Sequence, residues 1–362
     1  MKKNKGLYIH IPYCDELCPY CSFCHVYKNY GKEEEYINKL IGEINFINED
    51  IYSIYVGGGT PSSLDDDNFE KLLKSLSRLL KEDTSFSIEF NPNSFSDKKL
   101  ELIKKYGVNR VSLGVQTFNN KLQKIINRYC SYEEIKNIIY KLNEVGINDI
   151  NLDLMYGFPT QNLEDLKEDL KLYKSLNVNH ISCYSLQVEE HTIFFNKNIK
   201  EMDEDNLSLF YEEIYSSLKE AGYIHYEVSN FAKENKESKH NLLYWLNQEY
   251  IGLGVSASGY EDNIRYTNDS SIKRYIENSS LRKEEILSLE DEKIYQIILA
   301  LRLKDGLSLK EYKERFNSSF TSDYKEIIDE LVNKKLCVLD DEKFYVLEKY
   351  MFKMNQILLK FI

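Results

Sequence analysis

Three cysteines near the start of the chain, Cys14, Cys18 and Cys21, have the types and spacing that indicate chemistry most clearly. They follow the pattern Cys-x3-Cys-x2-Cys on one short predicted loop, so their thiolates can converge on a single metal centre. A four-iron cluster has four corners, and three protein ligands leave one iron free to bind and activate a small molecule. We therefore predict that these cysteines hold a [4Fe-4S] cluster.

Two other uses of clustered cysteines agree less well with the sequence. A zinc site usually takes its ligands from two separated pairs, whereas Cys130, Cys183 and Cys337 are scattered along the chain. A disulfide framework is disfavoured because the chain is long, does not look secreted and has an odd total of seven cysteines. We interpret Cys183 and the nearby His180 as core residues.

Composition limits the class of protein. At 362 residues the chain can form a main domain and a smaller one, and its formal charge of -12 argues against nucleic acid as the main partner. There is no apolar run long enough to cross a bilayer. Residues 1–5 are basic, but His10 and Pro12 interrupt the apolar stretch that follows, which a signal peptide would not allow. Together with reduced thiols, this predicts a cytoplasmic protein.

Predicted strands and helices alternate after the first strand. Each apolar strand is followed by a segment whose apolar residues recur at three- and four-residue intervals, as on one face of a helix. Repeated βα units imply parallel strands with right-handed crossovers, and six units rather than eight predict an incomplete (β/α)6 barrel of the α/β class. The predicted strands cover residues 7–11, 51–56, 85–90, 110–115, 150–154 and 180–186, and the sixth unit ends at Gly222.

Several polar or glycine residues share one predicted location, the C-terminal ends of these strands. In barrels of parallel strands the chemistry takes place at that end, so we expect these residues to lie beside the cysteine loop. A glycine run there would let a ligand approach the backbone closely and would offer it bare amides. The residues are Gly57, Gly58, Gly59, Thr60, Glu89, Gln116 and Asp153.

The cysteine spacing, followed by Gly57-Gly58-Gly59-Thr60-Pro61, resembles the radical S-adenosylmethionine (SAM) superfamily. In that superfamily the open iron chelates the amine and carboxylate of SAM, and one electron from the cluster cleaves the sulfonium to a 5′-deoxyadenosyl radical. Residues 8–14, 57–62 and 114–118 further resemble the coproporphyrinogen oxidase-like branch. The resemblance implies SAM as a cofactor, an electron donor as a partner, and these SAM contacts: Tyr8, Gly58, Gly59, Thr60, Glu89, Gln116, Arg128 and Asp153.

Three of these residues have implied roles. Glu89 and Asp153 would accept hydrogen bonds from the amino group or the ribose hydroxyls, and Arg128 would pair with the carboxylate. A surface ion pair is the alternative for Arg128.

Two features separate the two kinds of protein in this branch, which are coproporphyrinogen III dehydrogenases and heme chaperones of the HemW type. The dehydrogenases carry a fourth cysteine two residues after the third. Here that position is Phe23, and Cys24 comes one residue later. The dehydrogenase pattern is therefore not met, and we interpret Cys24 as a spare or inert thiol, with a weak fourth ligand as the alternative.

The second feature is the hexad His240-Asn241-Leu242-Leu243-Tyr244-Trp245, which contains the only tryptophan. It resembles the His-Asn-x-x-Tyr-Trp signature of the heme chaperones. A neutral imidazole is a good axial ligand for heme iron, and aromatic rings can stack on a porphyrin. The resemblance therefore implies heme contacts by His240, Tyr244 and Trp245, whereas composition alone favours a buried histidine between packing aromatics.

The last third of the chain changes character. Residues 252–259 are glycine-rich without a phosphate-binding pattern, and we predict a loop at the mouth of the cofactor site. From residue 291, three predicted helices and two short strands resemble a winged-helix unit whose mixed charge argues against DNA binding. We divide the chain into a barrel at 1–222, a heme-motif and connecting segment at 223–290, and a winged-helix-like domain at 291–362.

This pattern predicts a radical SAM protein that binds heme and passes it to acceptor proteins. Heme, acceptor proteins and an electron donor are the expected partners, nucleic acid is not, and a membrane is met only through an acceptor. SAM cleavage need not be the main output, so we assign no catalytic residue. The alternative is an oxygen-independent coproporphyrinogen III dehydrogenase, which takes hydrogen from propionate side chains and releases carbon dioxide. The SAM motifs disfavour a plain electron-transfer protein.

Overall fold

A twelve-stranded mixed sheet is the framework of the chain in a computed structural model, which describes residues 4–362. The first three residues of the basic N-terminal segment lie outside the described part. In chain order the strands are β1 (Gly6–Ile11), β2 (Ser53–Gly58), β3 (Ser85–Phe90), β4 (Arg110–Gln116), β5 (Asp149–Tyr156), β6 (His180–Ser185), β7 (Ile224–Glu227), β8 (Asn230–Ala232), β9 (Tyr250–Leu253), β10 (Ser258–Glu261), β11 (Ile264–Thr267) and β12 (Lys283–Ile286).

Strands β1 to β6 are parallel neighbours in sequence order, which confirms the six predicted units. The sheet does not close into a full barrel. At one edge β8 and then β7 continue it in antiparallel fashion, and at the other β9 pairs in parallel with β1 before β10, β11 and β12 follow. The predicted incomplete barrel is confirmed, and residues 223–290 supply six further strands to the same sheet.

Amphipathic helices cover the outer face of the parallel strands. On β1 the side chains of Leu7, Ile9 and Ile11 are fully buried in the core that these helices form with the sheet. Tyr8 and His10 alternate with them, so they point to the inner face. The helices of the six units are Glu33–Ile44, Asp66–Ser77, Asp97–Lys105, Asn120–Ile126, Tyr132–Glu144, Leu163–Ser175 and Glu204–Glu220.

The loop predicted over residues 252–259 is wrong at both ends, because β9 occupies Tyr250–Leu253 and β10 begins at Ser258. A Cβ atom on Gly252 would lie 2.0 Å from the carbonyl oxygen of Ser258. Glycine therefore permits β9 and β10 to approach closely. The glycines that suggested a loop are what allow this strand to form.

The C-terminal part has its own core and a small sheet. Helices Leu289–Ala300, Leu309–Phe316 and Lys325–Asn333 pack with strands β13 (Leu307–Ser308), β14 (Cys337–Leu339) and β15 (Lys343–Val346), in the spatial order β13-β15-β14. This is the predicted set of three helices and a hairpin with one added strand. Shorter helices of the described chain are Ile193–Asn196, Lys239–Trp245, Ile272–Ile276, Phe320–Asp323 and Met354–Leu358. Across residues 4–362 we find no helix with the length and apolarity needed to span a bilayer.

Candidate functional site

The cysteine loop is fastened to the glycine run at the end of β2. The amide of Gly59 donates to the carbonyl of Ile11 at 2.8 Å, and the amide of Thr60 donates to that of Tyr13 at 2.8 Å. A Cβ atom on Gly59 would lie 2.9 Å from both carbonyl oxygens. The Gly59 amide is therefore not bare, contrary to the prediction, but holds the cysteine loop in place. Glycine is needed at this position because the two backbones are in contact.

The three predicted cluster ligands line one cavity of about 370 Å³. Cys14 is buried, Cys18 and Cys21 are half-buried, and none forms a disulfide. Burial raises the pKa of Cys14 to about 12 and raises the pKa of Cys18 and Cys21. Without a metal these residues are therefore thiols, and a metal centre must displace their protons to bind.

Within residues 4–362, no three His, Cys, Asp or Glu side chains are grouped as the ligands of one metal ion would be. Cysteines that bind one iron–sulfur cluster contact different irons, so a cluster does not require their sulfurs to crowd together.

Two carboxylates face the same cavity from β3 and β5. Glu89 accepts hydrogen bonds from the Tyr55 hydroxyl at 2.8 Å and from the Gly58 amide at 3.2 Å. Asp153 accepts one from the Asn151 side-chain amide at 2.7 Å. Burial, aided by the neighbouring Asp153 charge, raises the pKa of Glu89 to about 7, and burial also raises the pKa of Asp153. Such a pair is suited to a cation, and SAM carries an ammonium and a sulfonium.

The guanidinium of the half-buried Arg128 acts electrostatically on these carboxylates and lowers the pKa of each. Arg128 borders the cavity, and a Cβ atom on Gly114 would lie 2.7 Å from one of its terminal nitrogens. Burial works against its charge, but Tyr20 and Cys18 keep its pKa raised. Its Nε–H is buried and has no hydrogen-bond partner among the described residues. The residue is thus not a surface ion pair, and a free donor at this place can bind a carboxylate.

Gln116 ends β4 in the left-handed region, with φ of 71°, where the pairing with β5 shifts register. The two residues after it are held by Asp169, whose carboxylate accepts from the Thr117 hydroxyl at 2.6 Å and from the Phe118 amide at 2.8 Å. Sequence reasoning missed Asp169. A signal existed, since this acid lies on the apolar face of its helix between Leu166 and Tyr173.

Seven of the eight predicted SAM contacts line the first cavity, and Tyr8 does not. Tyr8 instead lines a second cavity of about 660 Å³, and its hydroxyl lies 3.0 Å from Nδ1 of His10. The seven that the structure brings together are Gly58, Gly59, Thr60, Glu89, Gln116, Arg128 and Asp153.

The hexad lies in the helix Lys239–Trp245, which contacts the N-terminal end of β2 at Ser53. His240 is 1 % exposed, with Nδ1 2.8 Å from the Ser53 hydroxyl and Nε2 2.7 Å from the Tyr244 hydroxyl. Burial lowers its pKa to about 3, so the imidazole is neutral. Both ring nitrogens are occupied, and axial ligation by His240 would require one of these hydrogen bonds to break.

The three predicted heme contacts are not brought together on one open surface. Tyr244 lines the second cavity. His240 is buried and bonded to the Tyr244 hydroxyl, and Trp245 is the last residue of the helix. There the guanidinium of Arg302, from the C-terminal part, is 5.6 Å from the indole centroid. The hexad therefore connects the interior of the sheet with the C-terminal part.

Comparison with known proteins agrees with this architecture. The chain matches the model of the Radical SAM superfamily over residues 8–173 and that of the HemN C-terminal domain over residues 287–349. The structure of coproporphyrinogen III oxidase (HemN) from Escherichia coli superposes with a TM-score of 0.87, covering 99 % of this chain and 90 % of that one at 23 % identity. The fold is that of a radical SAM protein, a superfamily that implies an iron–sulfur cluster and SAM.

Sequence similarity to heme chaperones defines the family within this superfamily. The chain is 37 % identical to the heme chaperone HemW of Lactococcus lactis, over 100 % of this chain and 98 % of that protein. It is 34 % identical to HemW of Bacillus subtilis, over 94 % and 95 %, and 35 % identical to HemW of Escherichia coli, over 70 % and 69 %. The chain therefore belongs to the HemW family.

Proposed function

We propose that this chain is a heme chaperone, which binds heme and delivers it to acceptor hemoproteins. The observation that carries the proposal is the similarity, along the whole length, to proteins named as heme chaperones. The hexad is the local feature that supports it, because it sets an aromatic side chain, Tyr244, on the wall of a second cavity, which adjoins the first at Ser22 and Phe23.

The first cavity would hold the cluster and SAM. Cys14, Cys18 and Cys21 are the proposed cluster ligands. Glu89 and Asp153 would accept hydrogen bonds from the amino group or the ribose hydroxyls of SAM, and Arg128 would pair with its carboxylate. When bound, a reduced cluster supplies one electron to SAM. The protein's own residues would fix the position of both groups, and Ser22 and Phe23 line both their cavity and the second one.

The residue at the position of the dehydrogenases' fourth cysteine supports the heme-chaperone proposal. Phe23 stands where the fourth cysteine would be, and its side chain is 69 % exposed. Cys24 lines the second cavity rather than the first, with its thiol 3.6 Å from the carbonyl of Ser270. The proposal also includes a cytoplasmic location, and its partners are an electron donor and heme acceptors. It places the domain boundaries of the chain after residues 222 and 290.

An anaerobic comparison of two substrates tests the proposal. Cluster-loaded protein should retain heme through gel filtration, and with SAM and a reductant it should not convert coproporphyrinogen III. Absorbance of the eluted protein measures the first result, and chromatography of the porphyrins after oxidation measures the second. Multiple turnovers to protoporphyrinogen would replace the chaperone with the dehydrogenase alternative.

A further inference from the structure

The second cavity has walls from two parts of the chain that are distant in sequence, residues 8–24 and 244–270. Strand β1 supplies Tyr8 and His10, the end of the cysteine loop supplies Cys24, and the hexad helix supplies Tyr244. The cysteine loop also supplies Ser22 and Phe23, which line the first cavity as well. Strands β9 and β10 and the loops beside them supply the rest: Tyr250, Ser256, Ser258 and Ser270. Its volume of about 660 Å³ is within the range of pockets that hold a cofactor or other small molecule.

The lining of this cavity differs chemically from that of the first one. The first is lined by the charged residues Glu89, Asp153 and Arg128, whereas the described lining of the second includes no Asp, Glu, Lys or Arg. Three tyrosines provide ring surface, and the rings of Tyr244 and Tyr250 pack at 4.5 Å with an angle of 70°. Aromatic rings around an uncharged space favour a flat, largely apolar molecule.

Among the groups on this wall that could bind iron, most are already paired. His10 is bonded through Nδ1 to Tyr8 and through Nε2 to the carbonyl of Cys24 at 2.8 Å. The Tyr244 hydroxyl is bonded to His240, and Tyr250 is bonded to Arg265. The thiol of Cys24 makes only weak contacts, with Ser256 and with the carbonyl of Ser270. Its sulfur keeps lone pairs that can bind a metal, and thiolate sulfur is an established ligand class for heme iron.

The hexad connects this cavity to the SAM site. The Tyr55 hydroxyl donates to Glu89, the Tyr55 ring stacks on His240 with centroids 5.2 Å apart, and His240 holds the Tyr244 hydroxyl. His240 is therefore a positioning residue for Tyr244. This short chain of side-chain contacts would therefore link a molecule bound at Tyr244 to a molecule bound at Glu89.

We propose that the second cavity is the heme site, with the porphyrin against Tyr244 and Tyr250 and the sulfur of Cys24 as an iron ligand. The inference rests on the proposed function and deepens it. On binding ferric heme, the Cys24 thiol gives its proton to solvent and its sulfur lone pair forms the bond to iron. No oxidant or reductant is consumed.

Hemin titration of the cluster-loaded full chain tests the proposal with two variants and a control. Ser258→Trp should fill the cavity and weaken hemin binding by about tenfold or more, a factor worth about 1.4 kcal/mol. Ser279→Trp places the same side chain on an exposed segment outside both cavities and should bind hemin normally. Cys24→Ser should alter the electron paramagnetic resonance signal of the ferric heme and the Soret band of the ferrous carbonyl form, while the cluster iron stays.

The outcomes separate this inference from the proposed function. If the wild type does not bind hemin, the proposed function fails. If the wild type and Ser258→Trp bind hemin equally, heme binds elsewhere and the second-cavity site is overturned. If Ser258→Trp does not fold, Cys24→Ser decides, because unchanged heme spectra in that variant would overturn the proposed ligation.

Discussion

Alanine in place of Cys14, Cys18 or Cys21 should leave the anaerobically reconstituted protein without its brown absorbance and without most of its iron. Each of these thiols lines the first cavity, and a cluster that loses one of three protein ligands has too few bonds to remain. Iron analysis and the visible spectrum measure the effect.

Cys24→Ala is the matched control within the same loop. Its thiol lies at the second cavity, so the cluster should form with nearly normal iron content. Full cluster loss in Cys24→Ala would contradict the assignment of three ligands, because it would make Cys24 a fourth. Cluster retention together with altered heme binding would separate the two cavities by function.

Combined replacement of Glu89 and Asp153 by alanine should nearly abolish SAM binding. A hydrogen bond to a charged group contributes roughly 1.5–3 kcal/mol, so each replacement should weaken the affinity by about tenfold to a hundredfold. Calorimetry with cluster-loaded protein measures this. Glu133→Ala, on an exposed outer helix, is the control and should bind SAM normally. Unchanged affinity in the double variant would show that SAM binds elsewhere.

The same carboxylates predict a pH dependence. Since the pKa of Glu89 is raised to about 7, this side chain is protonated below that pH in the ligand-free protein. SAM binding must then displace a proton, so the affinity should fall as the pH decreases through about 7 and should level off above it. Glu89→Gln should remove most of this dependence.

The sequence predicted the parallel strands and the cavity they form because both follow from local patterns. Apolar runs alternate with helical periodicity, and parallel strands place their C-terminal ends together. The family resemblance implies a SAM contact by Tyr8, and that contact stays a prediction, because the side chain lines the second cavity in the structure. Strand β9 was missed because Gly252 and the glycine that follows the strand suggested a loop, although Gly252 is required for close strand approach.

The environment of His240 could not be predicted for a different reason. Its Nδ1 partner, Ser53, is 187 residues away in sequence, so nothing in the hexad itself shows that the imidazole is occupied. Asp169 is similar, since its role depends on Thr117 and Phe118 about 50 residues earlier in the chain. Long-range polar contacts of this kind decide which side chains remain free for a ligand.

Heme transfer tests the central claim most directly. The cluster-loaded chain, carrying heme after removal of excess, is mixed anaerobically with an apo-hemoprotein, and the spectrum of the acceptor is followed with time. A heme chaperone should pass its heme to the acceptor, and Ser258→Trp, which binds heme weakly, should deliver much less than Ser279→Trp. Heme that stays on the chain in the presence of a competent acceptor, or an acceptor that fills no faster than it does from free heme, would contradict the account.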